Sequence, residues 1–194
     1  MVLVNLETLV EKAIAGNVVS FPTDTIPALA VKPANSDLIF QLKQRSYEKP
    51  LVLMTSSVDE MWDYVKGSDE EVRIWKIIAY KYLPGALTMV LPASDKIPPT
   101  MNPLNPETIG IRIPNCQVAL EILKQTGPLA TTSANISGEA PLTSMKAISE
   151  KFPSVYVLDT DNPPSSGIAS TVIKWTETGW QVLRQGQIVI EKDL

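Results

Sequence analysis

The sequence predicts an α/β fold: a twisted, open, mixed sheet with flanking helices. Two observations predict it. Short strand-like runs alternate with helix-period segments over most of the chain and then pair locally near its end, the pattern of a sheet that mixes parallel and antiparallel neighbours. With 194 residues, 44% hydrophobic and 20% charged, the chain is long enough for one sizeable core and short for two, so a single domain over 1–194 is expected.

Asn5 is placed to cap a helix carrying Leu6, Leu9, Val10, Ala13 and Ile14 on one face, with Glu7 in its first turn and Gly16 just past its end. Val18 to Phe21 reads as a strand. It runs into Pro22-Thr23-Asp24-Thr25-Ile26-Pro27, too polar and proline-bounded for buried pairing, and Ala28 to Val31 is strand-like again. Thr23, Asp24 and Thr25 thus lie where a strand ends, a common place for ligand contacts in open sheets, although an Asx or Ser/Thr turn is the plainer local reading.

Ser36 is placed to cap a helix with Leu38, Ile39 and Leu42 inward, leading through Lys43-Gln44-Arg45-Ser46-Tyr47-Glu48-Lys49 into the strand-like Leu51 to Met54. Lys43, Arg45 and Lys49 are opposed locally only by Glu48. They suit either a helix dipole or bound phosphate. Ser68-Asp69-Glu70-Glu71 has the form of a capping box and opens a helix with Val72, Trp75, Ile78, Ala79 and Tyr82 on one face, stopping before Pro84-Gly85. Ala86 to Leu91 suits a strand whose Thr88 could reach a site at its edge, although a solvent-facing threonine is the plainer reading. Residues 93–107 read as an exposed loop, a candidate lid.

Thr108 to Pro114 alternates, with Ile109, Ile111 and Ile113 on one face and Thr108, Gly110 and Arg112 on the other. A guanidinium in so apolar a strand needs a partner, a carboxylate of the protein or of a ligand. Asn115 is placed to cap a helix with Ala119, Leu120, Ile122 and Leu123, closed by Gly127, with Cys116 a packed small residue in its first turn. The short apolar run 128–130 then gives way to Thr131, Thr132, Ser133, Asn135 and Ser137 before Gly138. Such a string presents convergent donors and acceptors with little bulk, and this is the candidate ligand loop; a turn satisfying its own backbone is the alternative. Thr143 or Ser144 caps a helix through Ala147 and Ile148. Val155 to Leu158 is a strand and 159–167 a loop. Ala169–Trp175 and Trp180–Gly186 form a strand pair around Glu177 to Gly179, adding Ser170 and Arg184 as a hydroxyl and a cation.

Composition narrows the chemistry. The chain has no histidine, which excludes Ser-His-Asp and Cys-His nucleophile pairs and the usual zinc sites. Its one cysteine, Cys116, makes no internal disulfide, no secretory signal opens the sequence, and no apolar run approaches the roughly 18 residues of a membrane span, so a cytoplasmic protein is expected. A net charge of −4 and a pI near 4.9 argue against a broad basic face for nucleic acid and leave room for a local cationic pocket.

In order, the chain reads Pro-Thr-Asp-Thr, Lys-x-Arg-x-x-x-Lys-Pro-Leu, Pro-Gly-x-Leu-Thr, Ile-Gly-Ile-Arg-Ile-Pro, Thr-Ser-Ala-Asn-x-Ser-Gly, Ser-Thr-Val and Leu-Arg-x-Gly. This resembles the YrdC/TsaC family of threonylcarbamoyl-AMP synthases over roughly residues 8–190, in its short form. The resemblance implies a YrdC-like fold and an enzyme that joins L-threonine, bicarbonate and ATP, with Mg2+ accompanying the ATP, into threonylcarbamoyl-AMP and pyrophosphate. A downstream tRNA threonylcarbamoyl transferase would use the product, placing the group on the adenosine beside the anticodon. By matching motif, Thr25, Arg112, Thr131 and Ser170 are implied for threonine, and Lys43, Arg45, Lys49, Thr108, Ser133, Asn135 and Arg184 for ATP. Lys43, Arg45, Ser133 and Asn135 would be catalytic, with no protein cage for a metal. Ile26-Pro27-Ala28-Leu29-Ala30 departs from the family's Val-Tyr-Gly-Leu-Gly, and Met54 stands where longer members carry a histidine; both departures fall on the threonine side. Two other readings are a divergent paralogue that binds double-stranded RNA or tRNA without synthase activity, and a nucleotide-binding protein that takes a different amine or acid.

Overall fold

The computed structural model describes residues 2–161 and 165–191; Pro163 and Pro164 of the 159–167 loop lie outside the described residues. The Thr8 N–H donates to Asn5 Oδ1 at 2.9 Å, opening α1 (Leu6–Ile14), and Gly16 turns the chain at φ +86° just beyond it. The other helices are α2 (Asp37–Lys43), α3 (Val58–Met61), α4 (Asp69–Tyr82), α5 (Gln117–Thr126) and α6 (Met145–Lys151). The strands are β1 (Leu3–Val4), β2 (Val19–Phe21), β3 (Ala28–Val31), β4 (Val52–Met54), β5 (Leu87–Pro92), β6 (Thr108–Arg112), β7 (Leu129–Ser133), β8 (Tyr156–Leu158), β9 (Thr171–Thr176) and β10 (Gly179–Arg184). They form one mixed sheet in the order β1-β8-β2-β3-β7-β4-β6-β5-β9-β10. The pairs β4/β6 and β5/β9 are parallel, while β3/β7, β4/β7 and β5/β6 are antiparallel. Among the described residues no helix is long and apolar enough to cross a membrane.

Alternation along the central strands separates two faces. Ile109 and Ile111 of β6, Leu53 of β4, Ala130 of β7, Met89 of β5 and Ile173 of β9 enter one apolar cluster with Trp75 and Ile78 of α4. On the opposite face, α1 and α5 cover Phe21, Ala28, Ala30, Met54 and Leu129. That cover stops short of β6, β5 and β9 and of the start of β4, where Gly110, Val90, Val172 and Val52 are only half-buried. This uncovered area is where a ligand can lie.

Several local expectations are corrected. Ser36 occupies the α2 cap position but is itself helical and makes no side-chain cap, its hydroxyl donating instead to the Pro33 carbonyl at 2.7 Å. Leu38 is 39% exposed, and Phe40 and Lys43 point inward with Ile39. Cys116, not Asn115, holds the cap position of α5. The strand after Pro128 does not end at Ala130: β7 continues through Ser133 because it pairs with β3 on one side and β4 on the other. Thr88 is not solvent-facing, being 2% exposed. The 93–107 segment is less exposed than its composition suggests, with a short 3-10 turn over Pro99–Met101 and with Ile97, Met101 and Asn102 buried. Of the two candidate caps for α6, Ser144 serves, accepting from the Ala147 N–H at 3.1 Å.

The sealed face is tight where α4 begins. Ser68 and Glu71 complete the capping box, and a Cβ on the preceding Gly67 would lie 2.4 Å from the ring of Trp75. That ring is fully buried and meets Trp175 edge-on at 6.1 Å, so it has little room to yield. Gly67→Ala is expected to cost about 1–3 kcal/mol by overpacking, and Ser68→Ala about 1 kcal/mol through the lost cap. Urea unfolding curves measure both; an unchanged midpoint for Gly67→Ala would contradict the tight seating of Trp75.

Candidate functional site

Strand β6 lays out the site. By alternation it turns Thr108, Gly110 and Arg112 to the uncovered face, and at about 3.3 Å per residue the first and last stand roughly 13 Å apart. Gly110 forms the floor between them. Its register partners are Val52 and Val90, and a Cβ on it would meet Thr88 Cγ2 at 3.3 Å, Val52 Cγ2 at 3.6 Å and Val90 Cγ2 at 3.9 Å. Gly110 thus adds no bulk among these three methyl groups, and polar groups stand at either end of the strand.

At one end is Arg112, 5% exposed. Its Nη1 donates to Thr25 Oγ1 and its Nη2 to Asp24 Oδ1, both at 2.6 Å. Its Nε donates to the Gly85 carbonyl at 3.1 Å. The protein supplies the partner that this guanidinium requires. Burial lowers the Arg112 pKa from its usual value, and Asp24 acts in the opposite direction. Next to it, Ser170 and Thr88 share a hydrogen bond at 2.9 Å. Arg184 donates from Nε and Nη2 to the Ser170 carbonyl at 3.2 and 2.9 Å and from Nη2 to its hydroxyl at 3.3 Å. Burial lowers the Arg184 pKa, and Arg184 lies close enough to Arg112 to oppose its charge.

At the other end is Lys43, which closes α2 on the same side as Ile39 and Phe40 and has no exposed surface. Its Nζ donates to the Ser133 carbonyl, to Asn135 Oδ1 at 3.1 Å and to Thr132 Oγ1 at 3.5 Å. Ser133 Oγ donates to the same Asn135 oxygen at 2.6 Å, and the Asn135 amide donates to the carbonyls of Ile136 and Glu139 at 2.7 and 2.9 Å. The ammonium thus ties the bend after β7 to the end of α2. Arg45 closes its own loop, donating from Nε to the Lys49 carbonyl at 2.7 Å and from Nη2 to the Pro50 carbonyl at 3.1 Å. Burial, then Arg45 and Lys49, lower the Lys43 pKa from 10.5 to about 7 despite its three oxygen acceptors.

The loop between β2 and β3 joins the two ends. Asp24 and Thr25 hold Arg112, while the Pro27 carbonyl accepts from the Ala134 N–H at 2.9 Å beside Ser133. Thr23 Oγ1 accepts from the Thr25 N–H at 3.2 Å and donates to the Ile26 carbonyl at 2.8 Å, so the Ser/Thr turn and the site contacts coexist in one loop. Ser165 Oγ donates to the Thr25 carbonyl at 2.9 Å, and the Ser166 and Gly167 N–H groups bond the carbonyls of Asp24 and Thr25 at 3.1 and 2.9 Å.

The structure brings Thr25, Arg112, Ser170 and Arg184 together at one end, and Lys43, Ser133 and Asn135 at the other. Lys49 lies near Lys43, and Thr108 stands at that end of β6, held by Asn102 Nδ2 at 3.1 Å. Arg184 was expected with the nucleotide set but sits beside Ser170. Thr131 is 1% exposed, with its hydroxyl donating to the Val52 carbonyl at 2.9 Å, so it supports the floor from within the sheet. Sequence reasoning placed Asp24 at a strand end suited to ligand contacts without giving it a role, preferred solvent to a site edge for Thr88, and missed Asn102. Met54 sits on the same face beside Arg112, its register partner. Among the described residues no group of three or more His, Cys, Asp or Glu could hold a metal ion.

The Sua5/YciO/YrdC family model, described as telomere recombination, matches residues 12–186. The threonylcarbamoyl-AMP synthase of Pyrococcus abyssi is 31% identical over 182 residues, covering 91% of this chain and 52% of the relative. That of Hydrogenovibrio crunogenus is 30% identical over 147 residues, covering 74% of this chain and 78% of the relative. The crystal structure of P. abyssi Sua5 complexed with L-threonine superposes with a TM-score of 0.81 at 29% identity, covering 93% of this chain and 54% of that one. The chain thus spans about half the length of the P. abyssi protein.

Lys43 makes stability depend on pH. Its folded pKa of about 7 lies below its unfolded value of 10.5, so between them the unfolded chain binds more protons and stability rises with pH. Urea unfolding of the ligand-free protein is expected to show a midpoint gain from pH 7 to pH 9 that Lys43→Met removes; parallel pH profiles for the two proteins would overturn the assignment.

Proposed function

The chain belongs to the Sua5/YciO/YrdC family, and from that premise we propose that it is a threonylcarbamoyl-AMP synthase acting on L-threonine, bicarbonate and ATP. The observation that carries the reading is the arrangement of two cationic ends around one apolar floor, with Thr25, Arg112 and Ser170 at one and Lys43, Ser133 and Asn135 at the other.

Threonine lies at the Arg112 end, its carboxylate on the guanidinium and its side chain toward Thr88 and Ser170. MgATP enters as a substrate, its phosphates directed to the Lys43, Arg45 and Lys49 end and its adenylate shaped by the Ser133 to Asn135 bend. The threonine ammonium gives up one proton to solvent, and the free amine is then carboxylated from bicarbonate with loss of water. An oxygen of the resulting carbamate attacks the α-phosphorus, the bond to the bridging oxygen breaks, and its electron pair leaves with pyrophosphate. The protein's part is to align the carbamate oxygen with that phosphorus and to offset charge, which needs no covalent nucleophile and no histidine. Lys43 acts from behind the bend: it fixes Ser133 and Asn135 and adds positive potential, while Arg45 and Lys49 face the phosphates from the loop. Magnesium arrives coordinated by the phosphates and keeps much of its water, which suits a site without a carboxylate cage. The product passes to a tRNA threonylcarbamoyl transferase, and a free Cys116 suits the reducing cytoplasm.

The test is pyrophosphate release from MgATP by the purified protein. It is expected to require both threonine and bicarbonate, and Arg45→Ala or Lys43→Ala should lower it by about 10²-fold or more. Release that ignores threonine would overturn the reading. Salt-sensitive binding of double-stranded RNA or tRNA without any such release would favour the RNA-binding paralogue.

A further inference from the structure

We propose that Asp24 is the specificity-determining residue that reads the substrate's ammonium group, an inference that rests on the threonine-using reading above. Arg112 has five N–H groups, and Gly85, Thr25 and Asp24 each take one. One N–H on each terminal nitrogen is left for an incoming carboxylate. Asp24 is also half spent: Oδ1 accepts from Nη2, and Oδ2 has no hydrogen-bond partner among the described residues. The exposures of the two side chains differ in the same sense, 6% for Arg112 and 16% for Asp24. The guanidinium is closed in, and the carboxylate keeps an open side.

Charge decides what this pair accepts. Arg112 and Asp24 answer each other's charge and Arg184 stands close by, so an acid is drawn to this end in any case; what an acid without an ammonium lacks is a donor for the open side of Asp24, beside which its own negative charge is repelled. A zwitterion adds no net charge. Its carboxylate takes the spare N–H groups of Arg112, while its ammonium, one carbon away, donates to the free Oδ2. Once the nitrogen is carboxylated it still carries one N–H, and Oδ2 can accept that as well. The contact therefore persists through N-carboxylation and keeps the nitrogen turned toward the reacting end. The subsite thus selects α-amino acids from hydroxy and simple carboxylic acids of the same size.

Titration calorimetry on the full chain, with a non-hydrolysable ATP analogue present, separates the outcomes, using L-threonine and 3-hydroxybutyrate, which keeps the carboxylate and hydroxyl but lacks the ammonium. Wild-type protein is expected to bind threonine at least about tenfold more tightly than 3-hydroxybutyrate. In Asp24→Asn, which retains an oxygen acceptor for Arg112, threonine should weaken about tenfold or more while 3-hydroxybutyrate stays within about twofold. Equal weakening of both ligands would mean that Asp24 only orients Arg112, and tightening of both would mean that it merely stands in for the substrate carboxylate; either result overturns the inference. The wild-type comparison holds even if the variant does not fold, since equal affinity for the two ligands overturns the inference by itself. A wild type that binds threonine but fails this discrimination defeats the ammonium assignment alone, whereas one that binds no threonine defeats the synthase reading and this inference with it.

Discussion

The buried ion pair of Arg112 and Asp24 is the constraint on which the rest of the site depends. A guanidinium enclosed at the end of a central strand is tolerable only if its charge and its N–H groups are answered. Answering them obliges the Pro22–Pro27 loop to fold across the uncovered sheet face and hold Asp24 and Thr25 in place. The same loop then reaches Ala134 through the Pro27 carbonyl. One electrostatic requirement thereby couples the Arg112 end to the bend that carries Ser133 and Asn135. Removing one partner of such a pair leaves the other charged and enclosed, which typically costs about 3–5 kcal/mol.

The second cation is managed differently. Among the described residues Lys43 has no carboxylate partner, and three oxygens of β7 and the bend after it surround its ammonium. This satisfies the donors without a counter-charge, and burial with Arg45 and Lys49 brings the Lys43 pKa down to about 7; at the other end Asp24 answers Arg112, and Arg184 adds a second cation. With no histidine in the chain, the reaction proposed above would rest on placement and charge balance.

Much of this was legible in the sequence, for physical reasons that differ between elements. Alternation along Thr108–Pro114 identified both the core face and the face of Arg112, because a strand's period of two leaves no other choice. The capping box at Ser68 was legible because its chemistry is local. The caps at Ser36 and Asn115 failed because neighbouring residues offered competing turns: Ser36 found the Pro33 carbonyl, and the chain entered α5 one residue later than the amide suggested. The polar string after Pro128 looked like loop, yet pairing on both sides held Thr131 to Ser133 in the sheet. Thr88 was misread because alternation assigns a face but not what covers it. Lys43 follows Ile39 by four positions and Phe40 by three, so its burial was present in the helical spacing, hidden by the habit of placing lysines in water.

Gly110 carries a consequence for how this scaffold can change. A Cβ there would meet Thr88 at 3.3 Å, closer than ordinary contact, and Val52 and Val90 at 3.6 and 3.9 Å. An alanine there would meet Thr88 first, at the Arg112 end, and leave the bend after β7 untouched. A single methyl group would therefore press on the Arg112 end alone, on an otherwise unaltered framework.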